Sequence, residues 1–168
     1  KSKDDIVADV RAIITNHPQE VGEAIMDIHD VAKAIGAEVI AAASTKVKRD
    51  ACLAFGADHV VDYTNANWRD DVKKALNGKP LNVVYDPVGG DYAEPALRSL
   101  GPDGRFLVVG FAGGGIPSVP LNLPLLKRCS IIGVNWGGYV AANPLESRPV
   151  LTKLLEWIAS RKLNPQAG

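Results

Sequence analysis

The stretch "NVVYDPVGGD", residues 82–91, decides how this chain is read. Val83, Val84 and Tyr85 have the β-branched and aromatic character of a buried strand. Pro87 has no N–H to give to a ladder, so the strand ends there. Gly89 and Gly90 open backbone conformations closed to other residues and let another group come close to the main chain. Taken alone, the stretch is either a turn or the carboxyl end of a strand that faces a ligand.

From Val31 onward, strands and helices alternate. "VAKAIGA" (31–37) reads as the end of a helix closed by Gly36, and "EVIAAA" (38–43) as a short apolar strand. "STKVKRDACLAFGA" (44–57) predicts a helix with Ser44 or Thr45 as N-cap and Gly56 at its end; Cys52, Leu53 and Phe55 suit its buried face. Next come a strand "DHVVDY" (58–63), an amphipathic helix "NWRDDVKKALNG" (67–78), and the strand of the opening stretch. A short helix "DYAEPALRSLG" (91–101), with Pro95 in its first turn, leads to the strand "GRFLVVGF" (104–111). "SIIGVNW" (130–136) reads as the last strand and "SRPVLTKLLEWIASRKL" (147–163) as the closing helix.

This alternation predicts a doubly wound, three-layer α/β fold with a mostly parallel sheet and right-handed crossovers. Ligands of such sheets bind outside the carboxyl ends of the strands. Asp86–Gly90 and "GFAGGG" (110–115) both fall there, and two Gly-rich strand ends in one sheet favour the ligand reading. Residues 113–128, punctuated by Pro117, Pro120 and Pro124, form a connection long enough to be functional. Alternatively, it is a packed excursion that buries Leu121, Leu123, Leu125 and Leu126.

The bulk properties narrow the classes. The chain has 168 residues, enough for one sizeable core, with 19 Lys plus Arg against 19 Asp plus Glu. A balanced charge argues against nucleic-acid or membrane-surface partners. No apolar run approaches the roughly 20 residues of a membrane span, and the N-terminus lacks a secretory pattern. Cys52 and Cys129 form no Cys-x-x-Cys pair, and His17, His29 and His59 are scattered. No metal site or disulfide framework is expected, and a reducing compartment, the cytoplasm or else an organelle matrix, is expected. No residue stands out as a chemical catalyst.

In a dinucleotide-binding unit, an acid at the end of the second strand would accept the ribose hydroxyls and mark NAD. Here "EVIAAA" runs into Ser44, Thr45 and Lys46, then Lys48 and Arg49. Hydroxyls, cations and a helix N-terminus suit a 2′-phosphate, so the pattern favours NADP. The alternative is a capped helix with a solvated basic first turn, which would oppose the helix dipole.

The phrases "AKAIGAEVIAAASTKVKRDACLAFGADHVVDY", "NVVYDPVGGDYAEPALRSLGPDGRFLVVGFAGG" and "NLPLLKRCSIIGVNWGGY" resemble the zinc-independent quinone oxidoreductase branch of the medium-chain dehydrogenase/reductases. The resemblance covers about residues 31–165. It implies a Rossmann-like cofactor domain of an NADPH-dependent reductase of quinones or α,β-unsaturated carbonyls, facing a second, catalytic domain across a cleft. By motif it places Ser44, Lys48 and Tyr63 around the adenosine 2′-phosphate, with Thr45 at the same helix start. Val88 and Gly89 match the turn that lies against the cofactor, and Phe111 and Ala112 the strand end near the nicotinamide.

Residues 1–30, "KSKDDIVADVRAIITNHPQEVGEAIMDIHD", depart from that pattern. They hold one glycine, Gly22, where the family has a strand and a Gly-rich phosphate loop. Ile6, Val10, Ile13 and Ile14 fall at helical spacing, and "PQEVGEAIMDIHDVAKAIG" predicts a second helix. The expectation is therefore a helical segment over 1–30, replacing the first strand and its loop, ahead of a dinucleotide-binding domain over 31–168. With the phosphate loop missing, such a chain is expected to bind NADP weakly and to turn over little alone. A non-enzymatic nucleotide-binding or scaffold domain is the alternative. Finally, "SIIGVNW" lies at a sheet edge with no charge or proline to protect it, which predicts a homodimer through 130–136, as the resemblance also implies.

Overall fold

The strand β2 (Glu38–Ala42) is apolar on both faces. Val39 and Ala41 point one way, Ile40 and Ala42 the other, and all four are buried. Only a strand inside a sheet covered on both sides can use such a run. The computed structural model, which describes residues 32–33, 35–162 and the backbone of 11–15, supplies that sheet. Its other strands are β1 (Arg11–Thr15), β3 (His59–Val61), β4 (Val83–Asp86), β5 (Arg105–Val108) and β6 (Ser130–Gly133). They pair in the order β3-β2-β1-β4-β5-β6, all parallel. This is the doubly wound order in which the chain reverses its direction of growth between β1 and β4.

Six α-helices complete the described chain: α1 (Lys46–Ala54), α2 (Trp68–Leu76), α3 (Ala93–Ser99), α4 (Asn122–Lys127), α5 (Trp136–Ala142) and α6 (Pro144–Ala159). The core divides into two along the pleat. On one face Ile40, Val84 and Phe106 meet Trp68, Val72 and Leu76 of α2, Ala96 and Leu97 of α3, and Leu123 of α4. On the other, Val39 and Ala41 meet Cys52 of α1, with Val83 and Tyr85 packed alongside. Helices therefore cover both faces, as the three-layer expectation required.

The first strand is the main correction. Arg11–Thr15, expected to be helical, form β1, in register with Glu38–Ala42 on one side and with Val83, Val84 and Tyr85 on the other. The helical spacing counted over residues 6–14 was too short to exclude a strand, and Ile13, Ile14 and Thr15 are all β-branched. The gap between β2 and β4 decides the matter, because both strands need a partner there. The expected helix over 18–36 falls mostly outside the described residues, as does the place of a Gly-rich loop after Thr15. Its last turn is described: Gly36, with φ +84, and Ala37 close it through hydrogen bonds to the carbonyls of Lys33 and Ala32.

Smaller differences follow from packing. Leu53, expected on the buried face of α1, is 46% exposed, because Lys48 and Cys52, one turn apart, define the inward stripe. The connection 113–128 contains α4, which buries Leu123 while Leu121, Leu125 and Leu126 stay exposed. The closing helix begins at Pro144, three residues before the expected Ser147.

Candidate functional site

Ser44, Thr45, Lys48 and Tyr63 converge where β2 and β3 end. The backbones of these strand ends are tied together, Ala43 N–H donating to the Val61 carbonyl at 3.0 Å. Thr45 is the N-cap of α1; its Oγ1 accepts from Lys48 N–H at 3.4 Å. No acid stands in the first turn of α1. Lys48 is only 8% exposed, whereas Lys46 at the start of the same turn is solvated and pairs with Asp50 at 2.6 Å, so the basic turn is only partly a solvated face. Tyr63 is buried and hydrogen-bonded to Ser44. Burial raises its phenol above the ordinary value of 10.0, the Ser44 bond pulling the other way. Its ring meets Tyr92 edge-on at 4.8 Å, which links this corner to the segment after β4.

Val88, Gly89, Phe111 and Ala112 converge at the neighbouring strand ends. Asp86 is buried, and its Oδ1 accepts from the N–H groups of Val88 (2.9 Å) and Gly89 (3.0 Å). This aspartate-capped turn ends β4 and fixes Pro87–Gly89. The loop after β5 keeps pairing with it: Ala112 N–H donates to the Pro87 carbonyl at 3.0 Å and Gly113 N–H to that of Val88 at 2.8 Å. Two glycines make this close approach possible. A Cβ on Gly89, whose φ is +67, would lie 2.9 Å from Phe111 Cδ1, and one on Gly113 would lie 2.9 Å from the Val88 oxygen. Val88 is buried, Ala112 half-buried and Phe111 exposed, so Phe111 presents its ring at the strand ends.

Beside this wall an open cleft of about 440 Å³ separates Gly90, Asp91, Glu94 and Pro95 from Gly115, Ile116, Pro117 and Ser118. Its acids make it a poor seat for a phosphate. Among the described residues no three or more His, Cys, Asp or Glu side chains gather closely enough to hold a metal ion. No helix of the described residues is long and apolar enough to cross a membrane.

The structure gives roles to further residues at these strand ends. Asp86 was legible in retrospect, because an Asp before Pro often caps its own turn. Tyr92 had no local signal; the sheet brings it to Tyr63. Asp62, just after β3, pairs with Arg49 of α1 at 2.9 Å. A hydrogen bond from the Thr64 hydroxyl holds its carboxyl below 3.8, with the Thr64 N–H and Arg49 adding to this and burial opposing it.

Comparison with known proteins bears on what this wall holds. A family model described as zinc-binding dehydrogenase matches residues 26–160. Quinone oxidoreductase-like protein 2 of Bos taurus is 39% identical over 157 residues, 93% of this chain and 44% of that protein. Its Mus musculus counterpart is 41% identical over 156 residues, again 93% and 44%. The chain thus spans less than half the length of these relatives. Among solved structures, Escherichia coli quinone oxidoreductase complexed with NADPH superposes with a TM-score of 0.82 at 25% identity, over 95% of this chain and 48% of that one. The nucleotide-binding subdomain of the enoylreductase domain of PpsC from Mycobacterium tuberculosis shares the fold, with a TM-score of 0.73 at 23% identity, over 94% and 87%.

Proposed function

The chain belongs to the zinc-binding dehydrogenase family, as a quinone oxidoreductase-like cofactor-binding domain of the medium-chain dehydrogenase/reductases, and on that premise we propose that it binds NADPH along the carboxyl ends of its strands. One observation carries the choice of cofactor. The first turn of α1 has no acid and instead holds Lys48, nearly buried, beside the Thr45 cap. A carboxylate there would accept two ribose hydroxyls and repel a phosphate; a cation beside hydroxyls and a helix N-terminus does the reverse. Ser44, Thr45, Lys48 and Tyr63 hold the adenosine 2′-phosphate. The turn at Val88–Gly89 is the surface the cofactor lies against, and Phe111 and Ala112 flank the nicotinamide.

When bound, the cofactor supplies a hydride to an electrophilic carbon. The protein's part is to orient it and to shield one side from water; no side chain of the wall is assigned a proton. A quinone or α,β-unsaturated carbonyl is the proposed acceptor, by analogy with the quinone oxidoreductase and the enoylreductase domain that the chain resembles. Despite the family's name, the described residues do not fit a zinc site.

Fluorescence titration of the purified chain tests the reading. NADPH is expected to bind at least tenfold more tightly than NADH, and Lys48→Glu to erase the difference, because one charge reversal next to a phosphate costs more than the roughly 1.4 kcal/mol of a tenfold change. Matching curves for the two cofactors in the unmutated chain would refute it.

A further inference from the structure

Arg49 follows Lys48 in the first turn of α1, and its guanidinium reaches back over the ends of β2 and β3. Nη1 donates to the Ala43 carbonyl at 2.9 Å and meets Asp62 Oδ2 at 2.9 Å. The other oxygen of Asp62, Oδ1, accepts from the backbone N–H of Thr64 at 3.0 Å and from its hydroxyl at 2.6 Å. The carboxylate is therefore held from two sides, and it immediately precedes Tyr63 of the proposed phosphate corner. The two side chains are 21% and 33% exposed, which leaves their charges only partly screened. A guanidinium also carries donors on Nε and Nη2, so one held at Nη1 keeps the capacity to face a second oxyanion.

We propose that Arg49 and Asp62 form a charge-compensated pair that sets the strength of discrimination for the 2′-phosphate. Lys46 of the same turn is already paired with Asp50 at 2.6 Å. Arg49 adds a further positive charge to that of Lys48, and Asp62 offsets it, so the intact pair presents almost no net charge to the cofactor. The proposal rests on the NADPH reading and deepens it. It has a consequence that a purely structural ion pair lacks. Removing the acid unmasks a cation, and removing the cation unmasks an acid. The two halves of one bridge must then shift phosphate preference in opposite directions.

The test is calorimetric titration of the full chain with adenosine 2′,5′-bisphosphate and with adenosine 5′-monophosphate. The chains compared are the unmutated protein, Lys48→Glu, Asp62→Asn, Arg49→Gln, and the double variant Asp62→Asn/Arg49→Gln. Asp62→Asn removes charge while keeping the side chain's shape, and Arg49→Gln removes charge together with the reach of the guanidinium. Relative to the unmutated chain, the affinity ratio of the two nucleotides is expected to rise about threefold in Asp62→Asn and to fall about threefold in Arg49→Gln, the scale of one partly exposed charge. In the double variant it should return to within about twofold. If Lys48→Glu abolishes the preference while Asp62→Asn and Arg49→Gln move it in the same direction or not at all, the compensated pair is overturned and the NADPH reading stands. If the unmutated chain binds the two nucleotides equally, both fall together.

Discussion

Gly89 holds a backbone conformation, φ +67 and ψ −141, that residues with a Cβ rarely adopt, and it does so where Phe111 leaves no room for a methyl group. Steric exclusion and backbone strain coincide at this one position. Gly89→Ala is expected to lower unfolding stability by about 1–3 kcal/mol, the usual cost of a residue forced into such a region. It should also weaken NADPH binding, because relief of the clash moves Phe111 or the turn itself. A urea midpoint together with a cofactor titration checks both effects, and an unchanged midpoint would show that the turn tolerates a side chain. The glycine was conspicuous in the sequence. Its necessity was not, since the obstructing ring is 22 positions away and arrives only when β4 and β5 pair.

At the scale of elements, the amino end of β2 is clamped to the segment before β3. Asp58 accepts from Lys33 Nζ at 2.7 and 2.8 Å and from the Val39 N–H at 2.7 Å. Burial by itself would raise the carboxyl's pKa; the Lys33 and Val39 hydrogen bonds and the nearby charge of Lys33 outweigh it and bring it below 3.8. A carboxyl depressed in the folded state adds stability above its unfolded value, and that stability is lost as the pH falls through the folded value. Asp58→Asn should therefore be less stable than the unmutated chain at pH 6, and the gap should narrow steadily below about pH 4. Melting temperatures of the two proteins across that range give the answer; a constant gap would mean that the clamp works by shape and not by charge.

At the scale of the whole molecule, β6 forms one edge of the sheet. Ser130–Gly133 are all exposed, and among the described residues β6 pairs with β5 alone. Neither the 113–128 connection nor α6 buries this strand, and Ile131 and Ile132 are 42% and 40% exposed. An uncharged edge of this kind recruits another strand. We propose that two chains meet here antiparallel about a two-fold axis, continuing the sheet. Light scattering at micromolar concentration is expected to give twice the chain mass, and Ile132→Lys to return it to one. A single-chain mass for the unmutated protein would leave the edge bare and remove the proposal.

Much of this was legible locally. The apolar runs with their stop residues marked β2 to β6, because strands favour β-branched and aromatic residues and a turn needs glycine or proline. The missing acid after Ala43 likewise bears on the cofactor without any coordinates, since it depends only on which residue follows a strand. Three features required the tertiary structure. Arg11–Thr15 form a strand because β2 and β4 leave a gap that only backbone hydrogen bonds can fill, whereas the local spacing was equally compatible with a helix. Lys48 is buried and Leu53 exposed because the packing of α1, and not hydrophobicity, chooses the inward stripe. Tyr63 meets Tyr92, and Arg49 meets Asp62, because a parallel sheet brings the ends of all its strands to one rim, across separations that no local pattern spans.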